Sequence, residues 1–574
     1  MSSFSRNRSS GLAIPAFALR RAQDLGIGDT LAVREAIAFC RSLGIGYLQL
    51  LPIQETGGDH SPYNAVSSIA LDPALLATEP GEVPELSAEA WKAARAQLGS
   101  AVAASQIEYP RVKQTKLWLL EQAFETFQRK KGSLTEAFQA FCQREADWLP
   151  SYCLFRVLID EHRGDPVWTR WNTELQNPVR ARQWLEQHPR KTELERKLSF
   201  YAFVQWVAFC QWETVRKKAD EEGIALIGDI PYGVNRYSAD TWGQPHLFDL
   251  SWSGGSPPEP YFQEDPFVAR WGQNWGLPLY RWEAHQKEDF AWWARRIAHT
   301  TRIFHGFRLD HVLGFFRIYA FPWEPERNRE FFPLSPQEVA ERTGGRLPRF
   351  FPRPDDPPSE ANANAVEGAR LLKKILDLSQ GALVIAEDLG MVPPYVRPIL
   401  TELGIPGFTI PRFEREPDGT YRSPSTYPPH NVVTYATHDH PPLAVLYEKL
   451  WESAQKDPRP EKRAHAYHEL TCLLRFAGWA ATELPARFPD QLHMRLIEIL
   501  LASPCWLAVW LAPDLLGTKE WFNRPGTEGG QNWRDRLSLP LTDYLDQEPW
   551  KSKLRKVAEL LREHNRNHPA AISL

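Results

Sequence analysis

Six stretches of the chain are apolar and rich in β-branched residues, end in a polar or charged residue, and run into helical patterns. They are "YLQLLPI" (47–53), "ALIGDIPYGV" (225–234), "GFRLDHVLG" (306–314), "ALVIAEDLG" (382–390), "VVTYATHDH" (432–440) and "WLAVWLAPDLLG" (506–517). Near-continuous apolar strands alternating with helices predict a parallel sheet covered on both faces. A doubly wound sheet and an eight-stranded barrel both satisfy that pattern. However, no strand leads into GxGxxG, and "GIGD" at Gly26–Asp29 lacks the third glycine and the strand context of a phosphate cradle. In a barrel, the C-terminal strand ends converge on one mouth, which would gather the charged residues of these runs. The prediction is an α/β fold, a (β/α)8 TIM barrel with large helical and loop insertions around its C-terminal mouth.

The barrel is expected to span 1–574 as one catalytic domain with three insertions. Residues 74–223 read as mainly helical: Leu117, Leu120, Phe124 and Phe127 recur at helical spacing, and Ser133 with Glu136 reads as a capping box opening a helix after Gly132. Residues 236–300 form an aromatic region whose centre, 251–282, mixes Gly, Pro and aromatics as a shaped substrate-binding loop would. Residues 322–364, with "FPRPDDPP", read as a Pro-rich surface excursion. "ILLASPCWLAVWLA" is interrupted by Ser503 and Pro504 and is short for a bilayer crossing, so it reads as a helix end followed by a buried strand.

Composition narrows the classes. Of the 574 residues 43% are hydrophobic, enough for a substantial core, and 67 Lys and Arg against 71 Asp and Glu give a net charge of -4. Without basic runs this is not the footprint of a nucleic-acid binder. The polar opening "MSSFSRNRSS" has no apolar segment behind it, and a cytoplasmic location away from membranes is expected. Six scattered cysteines without CxxC spacing argue against zinc and against a disulfide framework, so neither metal nor cofactor is expected. The 23 Trp, 17 Tyr and 29 Phe stand out. Their flat faces suit sugar rings as well as cores, and some should line a groove.

Strand ends carry the chemistry: Asp229, Asp310, Glu387 with Asp388, and Asp439. In "HGFRLDH", Arg308 and Asp310 leave a strand on the same side, about 7 Å apart along the chain. As a surface ion pair they would be worth roughly 0–1 kcal/mol. In a site, a cation beside Asp310 favours the ionised form that a nucleophile needs, while a second carboxyl must stay protonated until it donates. Two carboxylates flanking a glycosidic bond are the usual requirement of glycoside chemistry.

"FRLDHVLGF", "VIAEDLG" and "ATHDH" resemble the second, third and fourth signature regions of the α-amylase clan. More closely, with "GIGD", "LQLLPI", "SPYN", "IGDIPYGV", "QNWGLPLYRW", "GIPGF" and "NRPGTEGGQNWRDRL", the chain resembles the 4-α-glucanotransferases called amylomaltases or disproportionating enzymes, over residues 11 to about 540. The resemblance implies Asp310 as nucleophile, Glu387 as general acid and base, and Asp439 holding the hydroxyls of the distorted sugar with His438 beside it. Arg308 would orient and ionise Asp310. Tyr63 of "SPYN" would supply a stacking platform under the reacting glucose, Ser61 a substrate-binding residue beside it, Gln273 and Trp275 subsite contacts, and Tyr261 and Phe262 a lid on the acceptor side.

The implied reaction is retaining transfer of an α-1,4-glucan segment to the 4-hydroxyl of an acceptor. Maltooligosaccharides and starch or glycogen chains would serve as donors and acceptors. A hydrolase with the same residues and water as acceptor is the alternative, and a non-catalytic glucan-binding protein a further one. One departure concerns the last carboxylate motif, which the family commonly continues with Asn-Asp-Thr; here His440, Pro441 and Pro442 follow Asp439.

Overall fold

The computed structural model describes residues 7–568 apart from 131, 260–264, 480–484 and 526–529. Twelve strands occur among the described residues: β1 (Ser9–Ala13), β2 (Tyr47–Gln49), β3 (Ala225–Ile230), β4 (Phe248–Ser256), β5 (Gln273–Tyr280), β6 (Gly306–Leu309), β7 (Ile318–Phe321), β8 (Arg349–Phe351), β9 (Leu383–Ala386), β10 (Phe408–Thr409), β11 (Val432–Val433) and β12 (Leu507–Leu511). Eight of them form one parallel sheet in the order β10-β11-β12-β1-β2-β3-β6-β9. Its two edges meet: Ala386 N at the end of β9 donates to Pro406 O, just before β10, at 2.8 Å. A (β/α)8 barrel results, with Tyr47, Ile227, Ile385, Phe408, Val432, Trp506 and Val509 packed together as one apolar cluster.

All six apolar runs contribute a barrel strand. The two strands without such a signal are β1, whose "SSGLA" is short and small, and β10, only two residues long. Both are fixed by neighbours rather than by propensity: β1 is paired with β12 along all five residues, and β10 lies between β11 and the seam. "GIGD" proves to be a helix start. Asp29 accepts from Ala32 N at 2.9 Å at the head of helix 30–43, and its carboxylate also takes the Arg21 guanidinium. Between β2 and β3 run six helices of ten residues or more, ending in the 32-residue helix Lys191–Glu222 that leads into β3.

Two local expectations need correction. Ser133 does not cap its helix: Gly132 is the N-cap, no side chain caps, and Thr135 N and Glu136 N bond to Gly132 O instead. The described residues of 251–282 are not an irregular loop. β4 and β5 pair antiparallel, and with β7 and β8 make a four-stranded sheet in the order β5-β4-β7-β8. The glycines and the proline hid this ladder, because they serve close backbone approach and register shifts rather than side-chain alternation. A Cβ at Gly255 would lie 1.8 Å from Gln273 O, and the β4–β5 register slips on either side of Gly254. The Pro-rich stretch after β7 is likewise built of short helices and β8, whose residues pair with β7.

Candidate active site

The parallel register of β3 and β6 sets Asp229 beside Arg308, and two residues further along the chain Asp310 emerges on the same side. Arg308, 3% exposed, lies against three carboxyl groups. Its Nη1 donates to Asp229 at 3.0 and 2.8 Å and makes an ion pair with Asp310 Oδ1 at 2.8 Å, and Nη2 is 3.9 Å from Glu387 Oε2. One cation cannot compensate three negative charges gathered this closely, so the carboxyl farthest from it is the one best placed to keep a proton. That group is Glu387. Burial raises its pKa most; Arg308 opposes the rise and Asp310 adds to it. Its oxygens also accept from the backbone: Oε2 from His311 N at 2.8 Å and Oε1 from Leu389 N at 3.1 Å. Asp310, by contrast, keeps 24% of its side chain exposed at the mouth.

Asp229 stands among the strand-end carboxyls that the sequence gathers, but the resemblance assigns it no role in the site. It is sealed from solvent, takes the hydroxyl of Tyr63 on Oδ2 at 2.8 Å, and burial pushes its pKa up to about 7 against the pull of Arg308. Tyr63 in turn stacks on His438, with centroids 4.9 Å apart and planes 14° from parallel. Burial lowers the pKa of His438 and favours its neutral form. Its Nε2 stands 3.3 Å from Asp439 Oδ1, which also accepts from Asn523 Nδ2 at 2.6 Å. Trp533 completes this aromatic group, 5.9 Å from Tyr63 and 5.8 Å from His438 between centroids. Asn523 and Trp533 both fall inside "NRPGTEGGQNWRDRL", which carried the resemblance without pointing to either residue.

Ser61 supports the turn: its hydroxyl accepts from Tyr63 N at 3.3 Å. Gln273 and Trp275 lie on β5 rather than on a barrel strand. Trp275 Nε1 donates to Gln273 Oε1 at 3.2 Å, and its ring, 36% exposed, meets the edge of His311 at 4.8 Å. His311, directly after Asp310, sits in the left-handed region at φ 41°, and burial lowers its pKa to about 4. Tyr261 and Phe262 lie outside the described residues. After Asp439 the chain folds back on itself. His440 Nδ1 accepts from Thr437 N at 3.1 Å, and Pro442 precedes the helix Leu443–Lys456. Among the described residues no group of three His, Cys, Asp or Glu side chains is arranged to hold a metal ion, and no helix is long and apolar enough to cross a membrane.

A parallel barrel with carboxyl groups gathered at its strand ends defines the class: an α/β-barrel enzyme of glycoside chemistry. Within that class, residues 14–542 match the family model described as 4-alpha-glucanotransferase, and the chain belongs to that family. Its activity is 4-alpha-glucanotransfer. Among curated relatives, the 4-alpha-glucanotransferase of Thermus thermophilus is 31% identical over 88% of this chain and 90% of its own. That of Chlamydia caviae is 29% identical over 95% and 94%. Two solved structures share the fold. The amylomaltase from Corynebacterium glutamicum superposes with a TM-score of 0.74 at 23% identity, over 96% of this chain and 75% of that one. The amylomaltase from Streptococcus agalactiae in complex with acarbose gives 0.72 at 20% identity, over 98% and 100%.

Proposed function

We propose that the transfer is a double displacement in which Asp310 is the nucleophile and Glu387 the general acid and base. In the first half Asp310 attacks the anomeric carbon, the glycosidic C–O bond breaks, and the Glu387 proton passes to the leaving oxygen. In the second half the 4-hydroxyl of an acceptor gives its proton to Glu387 as its oxygen displaces Asp310, so configuration is retained. The observation that carries this reading is the single Arg308 guanidinium spanning both carboxyl groups. It gathers both carboxyl groups about one point of the mouth, where a retaining pair, about 5–5.5 Å apart, flanks the glycosidic bond.

Asp439, steadied by Asn523 and His438, binds the hydroxyls of the reacting sugar. Tyr63, set by Ser61 and Asp229, stacks beneath it. Gln273 and Trp275 form a further subsite. The chain works as one catalytic barrel whose insertions at 74–223, 236–300 and 322–364 shape the mouth, on maltooligosaccharides and on starch or glycogen chains. Incubation with maltotriose alone tests the assignment: glucose together with maltopentaose and longer chains is expected. Glucose and maltose without longer products would mean that water is the acceptor, and Asp310→Asn should abolish either pattern with the fold intact.

A further inference from the structure

Asp388 follows Glu387 in the chain, yet its side chain faces the seam where the barrel closes rather than the mouth. That seam is thin. Among the described residues, one backbone hydrogen bond joins the end of β9 to the approach to β10, from Ala386 N to Pro406 O. Asp388 supplies the second link: Oδ1 accepts from Phe408 N at 2.6 Å and Oδ2 from Arg397 Nε at 3.0 Å, with the carboxyl buried. Gly407 makes room for it, because a Cβ there would lie 2.8 Å from both Asp388 oxygens. The anchored residue stands between two parts of the mouth. Before it, Glu387 N bonds to Leu309 O of β6; after it, Leu389 N donates to Glu387 Oε1.

We infer that Asp388 is a positioning residue for the acid and base Glu387, an inference that rests on the role proposed for Glu387 above. Tied to Phe408 and Arg397, Asp388 holds the Leu389 amide where it meets Oε1, and so aims the carboxyl at the leaving oxygen. Releasing the tie frees the β9 end to drift along the seam. A drift of 1 Å at a reacting group is enough to cost about 10²-fold in rate.

The leaving group separates this role from general stability. With maltotriose, the C–O bond breaks as Glu387 delivers its proton. With α-maltosyl fluoride, the C–F bond breaks as Asp310 forms its bond to the same carbon, fluoride departs as the anion, and no proton is needed. First-turnover rates on both donors are to be measured for Asp388→Ala, Asp388→Asn, Gly407→Ala and Glu387→Gln. Asp388→Ala and Gly407→Ala are expected to slow maltotriose cleavage by about 10²-fold while releasing fluoride near the wild-type rate. Asp388→Asn, which keeps an acceptor for Phe408 N, should fall between. Equal losses on the two donors, or wild-type rates on both, overturn the inference. If Asp388→Ala does not fold, the other two seam variants decide. Failure of the fluoride to rescue Glu387→Gln would remove the acid assignment itself, whereas rescue of Glu387→Gln without rescue of the seam variants removes only the role of Asp388.

Discussion

Arg308 and Asp310 stand 2.8 Å apart, nitrogen to oxygen, and the same guanidinium nitrogen also holds Asp229. A lysine could not reproduce this, because its point charge lacks the planar fork that lets one group meet three carboxyls from fixed directions. Arg308→Lys is therefore expected to lower kcat on maltotriose by about 10²-fold or more, with a smaller change in KM. A kcat close to that of the wild type would show that the fork is dispensable.

Glu387 carries a pKa raised by burial, with Asp310 adding to the rise. Its protonated form, which the proposed first half-reaction uses, therefore persists above the ordinary carboxylic range. The alkaline limb of kcat/KM should lie near or above neutral pH, and Glu387→Gln should erase it from whatever activity remains. An alkaline limb near pH 4–5 would assign the acid to another group.

Asp514 offers a test of stability away from the carboxyls proposed to react. It is buried, accepts from Leu443 N through Oδ1, and has its pKa pushed up to about 7, chiefly by burial. The folded-state value lies above the unfolded one, so the stabilisation is complete below the unfolded pKa and is lost as pH rises through about 7. Relative to the wild type, Asp514→Asn should gain stability between about pH 4 and pH 8, on the order of 4 kcal/mol. Thermal melts across that range check it; parallel curves for the two proteins would contradict it.

Trp275 exposes 36% of its surface and touches His311 edge-on. Its removal opens no buried cavity. Trp275→Ala is expected to raise KM for maltooligosaccharides about fivefold, from a lost stacking contact worth about 0.5–1.5 kcal/mol, with little change in Tm. A lowered Tm with unchanged KM would make it a packing residue.

Much of the barrel was legible because a buried parallel strand must be apolar almost throughout, and six of the eight strands were. β1 and β10 escaped for the opposite reason: they are short, and their ladder partners rather than their side chains impose the strand. The β4–β5 ladder escaped because its glycines and bulge erase the period of two on which a strand is recognised. The helix capped by Gly132 starts one residue earlier than its residue types predict, since Ser133 has the residue type of a cap but lies inside the first turn.

For the site, the sequence by itself determined which carboxyls end strands, and the alternation of a strand placed Arg308 and Asp310 on one side. Only the tertiary structure decided what those groups meet. Asp229 and Arg308 are 79 residues apart and touch through the register of two parallel strands. Tyr63, His438, Asn523 and Trp533 come together from three separate segments. Side-chain period is a local property that the chain carries with it, whereas closure of the barrel brings distant strand ends to one mouth and fixes how three carboxyls share a single cation.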